Sequence, residues 1–140
     1  YPGIAMDDAN VDAITMWLLK NPANYHVLVA TNLFGDIISD LAAQMVGGLG
    51  FACSANIGEK LGVFEPSHGS APKYAGQYKV NPIAMILSAK MMLAWLGETG
   101  KAAKLEAAAA AVIREGAVRT YDMGGSATTL EMGEAIARKL

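Results

Sequence analysis

With 140 residues, 53% of them apolar, the chain has the size of one ordinary domain and the material for a substantial core, which excludes general disorder. Its 11 basic and 13 acidic residues form no run of either sign, so no footprint for nucleic acid or an anionic membrane is present. The single cysteine, Cys53, excludes an internal disulfide and fits a reducing compartment; with no basic neighbour in sequence to activate it, it is expected to pack rather than react.

Val11, Ile14 and Leu18 recur at helical spacing and predict a helix over residues 11–19, stopped by Asn21-Pro22, with Asp12 beside the apolar stripe. Residues 25–31, a continuous apolar run rich in branched side chains, are expected to form a strand buried on both faces. A helix follows at once in Asn32-Leu33-Phe34-Gly35-Asp36-Ile37-Ile38-Ser39-Asp40, with Asp36 near its start. Asp36 and Asp40 stand at i and i+4 and share one helix face. Like charges at that spacing oppose a helix by about 0.2–0.5 kcal/mol, and no basic residue lies among them. The helix dipole accounts for Asp36 better than for Asp40. A divalent cation would neutralise both. The residues alone leave two readings open, a metal or catalytic pair and a solvated helix face. The carboxyl end of a strand, where open α/β sheets bind ligands, is the position expected for the pair.

Gly47-Gly48-Leu49-Gly50 breaks the helix, and residues 51–58 read as irregular chain at a domain boundary. The glycines have neither the G-x-G-x-x-G spacing nor a Gly-Lys-Ser/Thr ending, which weakens a phosphate-loop reading. Residues 61–64 predict a short strand, and residues 65–82 a loop long enough to be functional. Helices are expected over residues 82–96, closed by Gly97, and residues 101–114, closed by Gly116. The first holds Lys90 and falls short of the ~20 apolar residues of a bilayer span, so it reads as a buried helix. The alanines at 107–111 suit close helix packing. Thr128-Thr129-Leu130-Glu131 fits a capping box for a last helix ending in Arg138 and Lys139. No secretory signal opens the chain, which starts at Tyr1 in mid-pattern, as a piece of a longer polypeptide would.

Val11-Asp12-Ala13, the 32–40 stretch, Phe64-Glu65-Pro66-Ser67-His68-Gly69-Ser70-Ala71-Pro72 and Asn81-Pro82 occur in an order that resembles the decarboxylating β-hydroxyacid dehydrogenases, the isocitrate and 3-isopropylmalate dehydrogenase family. The resemblance runs from about Val11 to the C-terminus and covers only the C-terminal part of such an enzyme, without the substrate loop, the carboxylate-holding arginines or the catalytic Tyr and Lys. It implies that family's α/β fold, which is not a Rossmann fold. Residues 1–46 would belong to the smaller, metal-binding and dimer-interface domain, and residues 47–140 to the larger cofactor domain.

The resemblance further implies that Asp12, Asp36 and Asp40 are catalytic, metal-site carboxylates for Mg²⁺ or Mn²⁺, with Asp12 reaching the active site of a second subunit in a homodimer. His68, Gly69, Ser70, Ala71, Lys73, Tyr74 and Asn81 match the family's cofactor loop, and Tyr121 and Asp122 match NADP-dependent isocitrate dehydrogenases. Lys73, where NAD-type members often carry Asp, favours NADP through its attraction for a 2′-phosphate. Gly125 stands where that subgroup has a phosphate-binding Arg, and Asn21 also replaces an Arg, so NAD is the alternative. The expected reaction is metal-dependent oxidative decarboxylation of a 2-hydroxy acid, isocitrate first and 3-isopropylmalate or homoisocitrate second. A non-catalytic regulatory subunit is the rival within the family. A cytoplasmic location is expected, or the mitochondrial matrix for a eukaryotic source.

Overall fold

A computed structural model describes all residues from Tyr1 to Leu140. They form two compact units, Tyr1–Met45 and Val46–Leu140.

In the first unit, helix α1 (Val11–Lys20) and helix α2 (Asn32–Met45) pack together, with Ile14, Leu18 and Ala43 buried. The α1 stripe is the one the spacing predicts. Pro22, which has no N–H to donate, ends the run, and a 3₁₀ turn at Pro22–Asn24 follows. Two expectations fail here. Residues 25–31 form no strand, with a bend at His26, and Val27 and Val29 are 81% and 95% exposed rather than buried. Branched composition favours a strand, but a strand exists only by pairing. The chain's two strands pair with each other, leaving none for this segment. Asp36 also lies a turn further into the carboxylate helix, Asn32–Met45, than the expected place near its start. The first turn of that helix contains no acid, so Asp36 lies beyond the reach of the dipole that would have accounted for its charge.

The second unit opens with the positive-φ turn at Gly47 and Gly48. Strands β1 (Cys53–Ile57) and β2 (Gly62–Pro66) follow as an antiparallel hairpin, with Ala55 opposite Phe64 and the Gly58 N–H donating to Leu61 O at 2.8 Å. β1 lies where irregular chain was expected. Its first four residues, Cys-Ser-Ala-Asn, are weak strand formers, and the ladder to β2 overrides them. Cys53 is half-buried and free.

Helices α3 (Ile83–Trp95), α4 (Thr99–Glu115) and α5 (Thr129–Ala137) complete the unit. α3 packs on both strands and on α4, and α4 packs on α5. The core gathers Ile83, Ala108, Ala109, Val112, Met132, Ala135 and Ile136. Complete burial of Ile83 or Met132 contributes about 1.5–3 kcal/mol each, and the small Ala108 and Ala109 let the helices approach. α3 is only partly buried. Ile83, Ala84 and Ser88 are covered, Met85 and Met92 are exposed, and the Lys90 ammonium meets Glu106 at 3.0 Å. Gly116 closes α4 at φ 64°, a value that favours glycine. The Thr128–Glu131 capping box is formed in both directions at the start of α5. No helix is long and apolar enough to cross a membrane.

Candidate functional site

Asp12 lies in the first turn of α1, exposed, with its Oδ1 accepting the Ala13 N–H at 2.8 Å and its carbonyl accepting the Thr15 hydroxyl at 2.6 Å. Asp36 and Asp40 stand one turn apart on α2, both exposed. None of the chain's ion pairs uses any of the three. The chain brings no three His, Cys, Asp or Glu side chains into one metal-holding group, so Asp12 does not join Asp36 and Asp40 within the chain. The α2 pair itself is a set of hard oxygen donors without a basic partner, which fits Mg²⁺ or Mn²⁺.

The loop after β2 is shaped from within. His68 is half-buried and its Nδ1 donates to Gly69 O at 2.8 Å, whereas Gly69 and Ser70 are exposed. Ala71 takes the left-handed φ of 45° before Pro72 and starts a 3₁₀ turn, Pro72–Tyr74, that displays Lys73 and Tyr74. Gln77 Nε2 donates to Lys73 O at 2.8 Å. The Tyr74 and Tyr121 rings stand 5.5 Å apart between centroids, tilted by 49°. Beside the Tyr74 hydroxyl, the Lys73 ammonium lowers that phenol's pKa from its ordinary value. Partial desolvation, then the nearby Tyr74, raises that of Tyr121.

Asn81 and Asp122, expected to touch the cofactor, are turned on one another. Asn81 is 4% exposed; its Nδ2 donates to Asp122 Oδ2 at 3.0 Å and its Oδ1 accepts the Ile83 N–H at 3.0 Å. The buried Thr120 hydroxyl donates to Asp122 Oδ1. A Cβ at Gly50 would overlap Asp122 Oδ2 and stand 3.1 Å from Asn81 Cβ, so the last glycine of the 47–50 run is fixed by close approach. Sequence reasoning missed Gly50 as more than a breaker, and missed Thr120, Thr129 and Lys79. A polar loop residue carries no signal of the ring or carboxylate that the fold later sets beside it.

The isocitrate/isopropylmalate dehydrogenase family profile matches residues 1–136. The chain is 50% identical over 140 residues to 3-isopropylmalate dehydrogenase of Methanothermobacter thermautotrophicus, covering 100% of this chain and 42% of that protein. It is 48% identical to the mitochondrial NAD isocitrate dehydrogenase catalytic subunit 5 of Arabidopsis thaliana, covering 100% of this chain and 38% of that one. The crystal structure of isocitrate dehydrogenase from Methylococcus capsulatus superposes with a TM-score of 0.92 at 45% identity, over 99% of this chain and 42% of that one. The architecture is thus the mixed α/β fold of isocitrate dehydrogenase. The chain belongs to the isocitrate/isopropylmalate dehydrogenase family, and it spans less than half the length of these relatives.

Proposed function

We propose that this protein oxidatively decarboxylates a 2-hydroxy acid with Mg²⁺ or Mn²⁺ and a nicotinamide dinucleotide. The carrying observation is the exposed Asp36–Asp40 pair of α2, one turn apart and without a basic partner, in a chain matching the family over residues 1–136. Asp36 and Asp40, with Asp12 of the partner subunit in a homodimer, would hold the metal. A bound ion there supplies a Lewis acid for the substrate's hydroxyl and α-carboxylate, and the nicotinamide supplies a hydride acceptor. The exposed Gly69-Ser70 backbone, with His68 and Ala71, offers the dinucleotide a close approach. Lys73, Tyr74 and Tyr121 offer it charge and donors. Asn81 and Asp122 hold the end of that loop in place.

Isocitrate is the preferred substrate, on the Lys73-Tyr74-Ala75-Gly76-Gln77 run and the likeness to isocitrate dehydrogenases. 3-Isopropylmalate is the second, supported by the 50% identity to a dehydrogenase of that name. NADP is the preferred cofactor and NAD the alternative. The test is turnover of the full-length protein with Mn²⁺ on isocitrate, 3-isopropylmalate and homoisocitrate, each with NADP and NAD, following nicotinamide reduction and CO₂ release. Reduction coupled to CO₂ with one of the acids is expected. Absence of turnover on all three would overturn the catalytic reading and favour a regulatory subunit.

A further inference from the structure

Thr129 is the first residue of α5, yet its N–H and its hydroxyl both donate away from that helix. The N–H donates to Tyr78 O at 2.7 Å and the hydroxyl to Val80 O, so one residue ties down the carbonyls on either side of Lys79. α5 is itself anchored, with Met132, Ala135 and Ile136 in the core.

The hydroxyl bond does nothing for α5. The free groups at a helix N-terminus are N–H donors, which call for an acceptor, and the box formed by Thr128 and Glu131 supplies it. A hydroxyl that donates outward serves the segment it reaches. That segment is not held by its own side chains: Tyr78 is 58% exposed and takes a left-handed φ of 49°, uncommon for a bulky residue. On the far side, Asn81 is fixed by Asp122 and by the Ile83 N–H. Held at 78, 80 and 81, the chain carries the Lys79 ammonium to 5.2 Å from the centroids of both the Tyr74 and Tyr121 rings.

A loop held in shape before its ligand arrives loses less freedom on binding, and affinity gains by the difference. We propose that Thr129 is a positioning residue for dinucleotide binding, its hydroxyl ordering residues 78–80 in advance through Val80 O. This rests on the reading of the 65–82 loop as the dinucleotide site and adds a residue outside that loop which holds it. Because the tie is made to backbone, it should act alike on NADP and NAD.

The test compares the full-length protein with its Thr129→Val and Thr129→Ser variants. Val keeps the β-branched shape and the N–H bond and removes only the hydroxyl; Ser keeps the hydroxyl. In the nucleotide-free proteins, amide hydrogen exchange across residues 76–82 should speed up in Thr129→Val and stay as in wild type in Thr129→Ser. Calorimetric titration should show Thr129→Val binding NADP and NAD about three- to tenfold more weakly, by the same factor for each, the size of one neutral hydrogen bond. Its Mn²⁺ affinity should stay within about twofold of wild type, and Thr129→Ser should restore dinucleotide binding. Unchanged exchange, dinucleotide binding like wild type in a merely less stable Thr129→Val, or an equal loss of Mn²⁺ would each overturn the assignment while leaving the loop as the dinucleotide site. A wild type that binds neither dinucleotide would remove that reading and the proposal together.

Discussion

Asn81 Nδ2 and Asp122 Oδ2 meet at 3.0 Å across 41 positions of sequence, joining the end of the 65–82 loop to the 3₁₀ turn Tyr121–Met123. Because that turn carries Tyr121 and the loop carries Tyr74 and Lys79, the bond sets the spacing of the aromatic pair. A Cβ at Gly50 would meet both partners. Gly50→Ala should force Asp122 off Asn81 or Thr120, with the 1–3 kcal/mol cost typical of overpacking, about the same as leaving a buried polar group unpaired. Denaturant unfolding of the variant measures the loss, and wild-type stability would show that the carboxylate yields freely.

The capping box of α5 makes a prediction about acid. Hydrogen bonds from the Thr128 backbone and hydroxyl lower the Glu131 pKa from its ordinary value of 4.5. A depressed carboxylate stabilises the fold above its unfolded-state pKa, and the contribution disappears as pH falls through the folded-state value. The stability difference between wild type and Glu131→Gln should therefore be present at neutral pH and shrink below about pH 4.5. Thr128→Ala, which removes the cap oxygen, should cost about 1 kcal/mol. Thermal unfolding across pH, run on all three proteins, reads both effects.

For the carboxylate pair, Asp36→Asn keeps the side-chain volume and removes one charge. Relief of the i, i+4 repulsion should leave the metal-free protein as stable as before or stabler by about 0.2–0.5 kcal/mol. Stabilisation by added Mn²⁺ should fall, and Mn²⁺ affinity should drop at least tenfold, since changes in the residues behind metal ligands already cost about 10–100-fold. Unaltered Mn²⁺ protection in this variant would remove Asp36 from the metal site.

Asp12 does not join Asp36 and Asp40 within the chain, so the proposed site takes Asp12 from a partner subunit. Inactive Asp12→Asn and Asp40→Asn proteins should then recover part of the activity when their subunits are mixed, because a hybrid dimer assembles one site with all its aspartates intact. Verified hybrids that stay inactive would remove Asp12 from a site shared between subunits.

The helices were legible where local chemistry decides them: the Val11, Ile14, Leu18 stripe, the Gly116 closure and the Thr128–Glu131 box each carry their own signal within a few residues. β1 was not legible, because Cys53, Ser54, Ala55 and Asn56 become a strand only through β2. Residues 25–31 misled in the opposite sense, their branched side chains promising a ladder that no neighbour completes. In the candidate site, the Asp36–Asp40 spacing and the Lys73-Tyr74 pair could be read directly. Lys79 and Gly50 could not, since each acquires meaning from a partner, Tyr121 or Asp122, that only the folded chain brings near.

The open segment containing Val27 and Val29 bears on how these residues behave in a test tube. In residues 25–31 only the Tyr25 N–H and the Thr31 carbonyl have backbone partners, so the groups between them, flanked by the exposed β-branched Val27 and Val29, are a template for another strand. A preparation holding only Tyr1–Leu140 would tend to build intermolecular sheet from that segment, with turbidity rising with concentration and a lysine at position 29 opposing it. Its solubility would be set by seven residues outside every helix and strand rather than by the packed helices around Met132.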